Sequence, residues 1–267
     1  MKHQSRPMND LNSKKFLVSQ QRIGKPMYNF YCSYLSSVQL VEDVQKLDCP
    51  SNCKPHDCKM YCSCDGLVLL AIDEQLLLWN PSTRESIELP RSELTLRKST
   101  CGLGYDATSD DYKILKINYY PKVYIEIPAL KSGSWRKKFE YPGSRFDPML
   151  VCMDSLAFVN GAFHWVDLKQ NYSIVSFSIS DEMYGEIPLL ERLLNEFKIA
   201  IKHGVSILGG MLCYNYTHIP LGGSTFKLWV MKEYGVKKSW TELQQREPFF
   251  AKEEVIETRS FSIFCLS

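Results

Sequence analysis

Apolar and polar positions along this chain come in short blocks. Runs rich in β-branched, aromatic and leucine residues are broken by Gly, Pro, Asn or Asp roughly every ten residues, the pattern of an all-β domain. The blocks predict strands at 66–72, 76–79, 112–117, 123–127, 155–159, 162–166, 174–178, 205–207, 211–214 and 228–231. Helical spacing is scarce. It surfaces at 188–202, where Leu189, Leu190, Leu193, Leu194, Phe197 and Ile201 recur near a 3.6-residue period and predict one short helix.

The breaks have physical causes. In Trp79-Asn-Pro-Ser-Thr-Arg84 the proline removes a ladder donor and fixes φ, while Asn80 can cap its own backbone, so a strand must end at Trp79. Asn160-Gly161 between two apolar runs predicts a type I′ hairpin flanked by Val159 and Ala162, because that turn needs positive φ twice. Glycine-led hairpins recur without close identity at Gly66, Asn160-Gly161 and Gly209-Gly210, each followed by an apolar strand and a second strand. Their spacing fits units of about 45 residues with one degraded copy, and four-stranded units of that size predict a β-propeller. A ring of six or seven such units needs roughly 270 to 315 residues, whereas the recognisable units fill only Gly66 to Leu243, so four or five fit when the N-terminal segment is used as well. The expected propeller is therefore incomplete, with unpaired edge strands that favour aggregation.

Composition and charge narrow the function classes. With 45% hydrophobic and 12% aromatic residues the chain can bury a sizeable core. Lys plus Arg at 32 against Asp plus Glu at 30 is too even for the broad basic field that nucleic-acid binding needs. No signal-peptide core and no membrane-length apolar run occurs. The expected location is cytoplasmic or nuclear, with the ten cysteines reduced and the sequons at Asn171 and Asn215 unused.

Candidate chemistry is thin. Cys49, Cys53, His56, Cys58, Cys62 and Cys64 crowd together, but their spacing lacks the CxxC knuckle of structural zinc, so a loop of free thiols is expected and no metal. His164 invites a general-base reading, yet on a strand it faces opposite to Asp167, so the two cannot pair and a structural histidine is expected. No nucleophile elbow, P-loop, H-E-x-x-H or dinucleotide cradle occurs, and no cofactor is implied. Trp79, Trp165 and Trp229 lie in apolar strands once per unit and are expected in the core, while Trp135 and Trp240 follow serines in charged turns.

Six phrases in order carry a family likeness: Cys64-Asp-Gly-Leu-Val68, Leu78-Trp-Asn-Pro-Ser-Thr-Arg84, Gly102-Leu-Gly-Tyr-Asp106 with Ser109-Asp-Asp-Tyr-Lys113, Ser134-Trp-Arg136, Val159-Asn-Gly-Ala-Phe-His-Trp165, and Leu228-Trp-Val-Met-Lys-Glu-Tyr-Gly-Val236 with Ser239-Trp240. Together they resemble the plant F-box-associated, kelch-like domain, over residues from about Phe16 to Leu243. The resemblance implies a non-catalytic protein-interaction domain, the substrate-recognition part of a cullin-type ubiquitin ligase adaptor. A propeller hydrolase or a carbohydrate-binding module is the alternative. The implied partners are a target protein and, given an upstream F-box, a Skp-type linker. The family-like phrases begin too early for an F-box to precede them, so residues 1–15 are expected to be the linker after a missing F-box and 16–267 the associated domain. Loops carry recognition on such scaffolds, and Tyr119, Tyr120, Arg145, Phe146 and Tyr216 are the expected target-binding anchors.

Overall fold

The structure, a computed structural model, describes residues 15–22, 28–34, 45–48, 50, 58–92, 95–96, 98–118, 123–131, 133–140, 156–167, 173–193, 202–218, 225–243 and 258–266. The chain opens with β1 (Lys15–Arg22), β2 (Tyr28–Tyr34) and β3 (Gln45–Leu47). Four meanders follow. They are blade B, of β4 (Cys58–Cys64), β5 (Leu67–Ile72), β6 (Gln75–Asn80) and β7 (Glu85–Glu88), and blade C, of β8 (Ser99–Asp106), β9 (Asp111–Asn118), β10 (Tyr124–Ala129) and β11 (Ser134–Glu140). Blade D has β12 (Ala157–Val159), β13 (Ala162–Asp167), β14 (Ser173–Ser178) and β15 (Tyr184–Ile187), and blade E has β16 (Lys202–Leu208), β17 (Met211–His218), β18 (Thr225–Met231) and β19 (Trp240–Leu243). The last strand, β20 (Thr258–Leu266), pairs antiparallel with β1, giving blade A the order β20-β1-β2-β3.

The fold is thus all-β and of the propeller class, built from five four-stranded antiparallel sheets. Within blade A, β1 lies inside the sheet, between β2 and β20. The helix expected at 188–202 falls largely outside the described residues; Glu191–Leu193 are helical, and Lys202 already begins β16.

Two compact units divide the chain, Met1–Arg91 with Phe249–Ser267, holding blades A and B, and Ser92–Pro248, holding blades C, D and E. The first unit's core sets Leu47 of β3 with Cys58, Met60, Val68, Leu70, Ile72, Leu77 and Trp79 of blade B. Its turn at Asn80-Pro81 forms as the sequence requires. Asn80 Oδ1 accepts the N–H groups of Ser82 and Thr83 at 2.9 and 3.3 Å, and β6 stops there.

In the second unit the period-two alternation of blade D decides which neighbour each side chain meets. Phe163 and Trp165 of β13, with Val175 and Phe177 opposite on β14, face blade C; Val166 and Ile174 face blade E. The predicted hairpin is present: Val159 pairs with Ala162, and Asn160 and Gly161 take φ of 50° and 72°. Blade C approaches blade D closely at two glycines of β8. A Cβ on Gly102 would sit 2.7 Å from Leu156 Cβ and 2.8 Å from the Phe163 ring, and one on Gly104 2.5 Å from the Phe158 ring. The Gly102-Leu-Gly104 phrase therefore exists to admit the rings of the next blade.

Candidate functional site

The tryptophans expected in the core lie there, Trp79 at 1% exposure and Trp165 and Trp229 at 4% each. Trp240 joins them at the start of β19, its indole N–H donating to the Pro188 carbonyl at 3.4 Å. Trp135 is half-buried on β11, with the Lys116 ammonium 5.5 Å from its ring.

Of the expected target anchors, Tyr119, Tyr120, Arg145 and Phe146 fall outside the described residues. Tyr216 is corrected. It is 1% exposed in the core between blades D and E, because on β17 it alternates with Asn215 and points with Tyr214 at the neighbouring sheet. A surface anchor it is not. The cysteine-rich loop is corrected as well: Cys58, Cys62 and Cys64 lie on strand β4, with a register shift between Met60 and Cys62, and none of the three forms a disulfide. Cys49, Cys53 and His56 fall outside the described residues, among which no group of three or more metal-ligating side chains gathers.

Three polar clusters of the second unit show what its buried groups can do. On blade C, Lys116 is fully buried, its ammonium 3.2 Å from the Glu126 carboxylate and donating to Ser92 Oγ at 2.6 Å. Ser92 in turn donates its proton to Glu126 at 2.7 Å. A serine beside a lysine suggests a nucleophile and base, but a lysine ion-paired to a carboxylate has no lone pair for a serine proton. The triad is structural.

At the β8–β9 turn, burial by itself would raise the Asp106 carboxyl, but hydrogen bonds from Lys113, Ser109 and the Thr108 N–H outweigh it and hold Asp106 down at about 2. Lys113 contacts Asp106 at 2.5 Å and also donates to the Ile179 carbonyl of blade D at 3.2 Å.

His164 makes the matching contact from blade D to blade E. Its Nδ1–H donates to the Ala157 carbonyl at 3.3 Å, which leaves Nε2 to accept the Tyr234 hydroxyl proton at 2.7 Å. Burial pushes the imidazole down to about 4 from its ordinary 6.5, overriding the opposing backbone hydrogen bonds. Neutral and with both nitrogens engaged, it has no free lone pair with which to act as a base.

Tyr234 belongs to the β18–β19 loop, residues 232–239. Ser239 Oγ accepts the Glu233 N–H at 3.1 Å and donates to the Glu233 carbonyl at 2.8 Å. Main-chain bonds run from Val236 N–H to Glu233 O, Ser239 N–H to Val236 O and Lys232 N–H to Ser239 O. Gly235 takes φ of 78°, and its N–H points at Met231 Sδ, 3.1 Å away. Successive connections of a meander lie at opposite ends, so this loop shares one end of blade E with the Gly209-Gly210 hairpin.

Repeated four-stranded antiparallel blades define a β-propeller. The chain belongs to the F-box associated beta propeller domain family, whose profile matches residues 26–264. It is similar to three Arabidopsis thaliana proteins: F-box/kelch-repeat protein At3g23880, 26% identical over 68% of this chain and 50% of that one; F-box protein CPR1, 27% identical over 81% and 57%; and F-box protein At3g07870, 30% identical over 67% and 48%. The chain thus spans about half the length of the curated relatives it matches. Among solved structures, an endo-1,4-beta-xylanase from Bacteroides thetaiotaomicron superposes over 86% of this chain and 91% of its own at a TM-score of 0.43 and 10% identity, too loose a likeness to carry any activity across.

Proposed function

We propose that the protein is the target-holding arm of a cullin-type ubiquitin ligase adaptor, working in cytoplasm or nucleus and acting by binding without catalysis. Family membership over residues 26–264 carries this reading. It is supported by the fate of the reactive side chains: Ser92 is held by Lys116 and Glu126, and His164 by Ala157 and Tyr234. In this reading the propeller holds the target and an F-box joined to it holds the Skp-type linker.

Affinity capture with this chain, and with the chain fused behind an F-box, tests the proposal. Ligase subunits are expected only with the fusion, and one further protein is expected with both. Turnover of a small substrate that is lost on replacing Ser92 or His164 would defeat it, as would a fusion that recruits the linker while neither form retains any other protein.

A further inference from the structure

The β18–β19 loop combines three properties. Its main chain is braced by the Ser239 and Val236 bonds described above, so its side chains are presented with little ordering left to lose on association. It nevertheless leaves Tyr234 and Val236 at 40% and 44% exposure, and the hairpin at the same end of blade E adds Ile207 and Leu208 at 37% and 46%. Apolar groups kept exposed on a rigid frame mark recognition surfaces. Third, Lys232, Lys237 and Lys238 flank Tyr234 and Val236 along the loop, with Glu233 as the loop's lone acid. Among the described residues none of these three lysines has a carboxylate partner, whereas Lys113, Lys116, Lys131 and Lys227 have one at 2.5 to 3.8 Å.

We infer that this loop, with the tip of the 208–211 hairpin, is the surface on which the target lies, and that it takes an acidic segment carrying an apolar anchor. The inference rests on the adaptor reading and gives it a partner chemistry. A nucleic-acid backbone would satisfy the lysines but leave Val236 and Leu208 in water; a neutral apolar segment would do the reverse. The exposed Asp181 and half-buried Glu182, in the β14–β15 turn of blade D, repel an acidic ligand and turn it towards blade E.

Fluorescence anisotropy with the full chain tests this, using three labelled peptides of equal length. One is rich in Asp and Glu around a central Leu-Phe pair, one keeps the acids but replaces the pair by serines, and one keeps the pair among lysines. The first should bind at least about tenfold more tightly than either of the others, and its binding should weaken with salt. Val236→Ser and the double charge reversal Lys237→Glu/Lys238→Glu should each lower that affinity by about tenfold while leaving the thermal midpoint in place. Failure of the acidic anchored peptide to bind overturns the inference. So does equal binding of the lysine-rich peptide or of a single-stranded oligonucleotide, or wild-type affinity in both variants.

The capture experiment separates the two claims. If the loop variants still retain the protein that the unmodified chain captures, the surface is wrong and the adaptor reading stands. If the chain binds the acidic peptide but captures no protein, the surface stands and the adaptor reading falls.

Discussion

Blade D meets its two neighbours in different ways. Towards blade C the junction is dry: Leu156, Phe158 and Phe163 fill the space that Gly102 and Gly104 leave, Phe158 and Phe163 lie 4.9 Å apart, and Trp165 packs edge-on to Tyr184 at 6.4 Å. At its turn end this junction carries an ion-paired tie, Lys113 to the Ile179 carbonyl, with Asp106 behind it. Towards blade E the core is equally apolar, but its tie is a neutral histidine and an exposed tyrosine on the loop assigned to recognition. One junction is secured by shape and an ion pair, the other by a neutral bond that can be lost.

The largest effect should come from emptying the dry junction. Phe163→Ala removes a ring with no exposed surface and should cost about 3–5 kcal/mol in urea unfolding, where a loss under about 1 kcal/mol would mean the junction collapses to fill the gap.

Next comes acid. His164 holds its proton less well in the folded protein, about 4, than in the unfolded chain, 6.5, so the unfolded state takes up protons first as pH falls. Its contribution is intact above pH 6.5, is withdrawn down to about pH 4, and amounts to about 3 kcal/mol over that window. His164→Gln should flatten the pH dependence of unfolding between those limits relative to the unmodified protein. Asp106 runs the same way at lower pH: lowered from 3.8 to about 2, it contributes fully above the higher value and is lost only as pH drops through the lower. The tie to blade E should therefore weaken in mild acid while the tie to blade C holds, which hydrogen exchange of the Tyr234 and Ile179 neighbourhoods would resolve.

Gly102→Ala pushes a methyl against Leu156 and Phe163 and should cost about 1–3 kcal/mol, with Phe163→Leu in the same chain relieving part of the loss. The smallest effect belongs to Tyr234→Phe. It leaves the buried Nε2 of His164 without its donor, for about 1–2 kcal/mol, and a change below about 0.3 kcal/mol would show that water replaces the hydroxyl.

Much of this architecture was legible in the chain, and the exceptions have reasons. Asn160-Gly161 and Asn80-Pro81 encode their turns locally, so the hairpins around them could be read without any partner. β4 was hidden because its cysteines suggested metal chemistry before packing, although Cys58 and Met60 alternate with Lys59 as a half-buried strand should. β20 was overlooked despite the alternation of Phe261, Ile263 and Cys265, since nothing local says that its partner is β1. Tyr216 looked like a loop anchor because the end of β17 could not be placed from sequence; extended to His218, that strand takes the tyrosine inside. In sequence the phrase ending at Val236 carries only the family likeness and the core Trp229; the Ser239 brace of its loop, and lysines with no carboxylate partner among the described residues, emerge only from the structure.

The pairing of β1 with β20 also governs the order in which the protein can be completed. The 235 residues between Arg22 and Thr258 must leave the ribosome before blade A can gain its final strand. Until then β1 offers an unsatisfied backbone rim to any nascent neighbour or chaperone, so translation speed through the last blade sets how long the young chain stays adhesive.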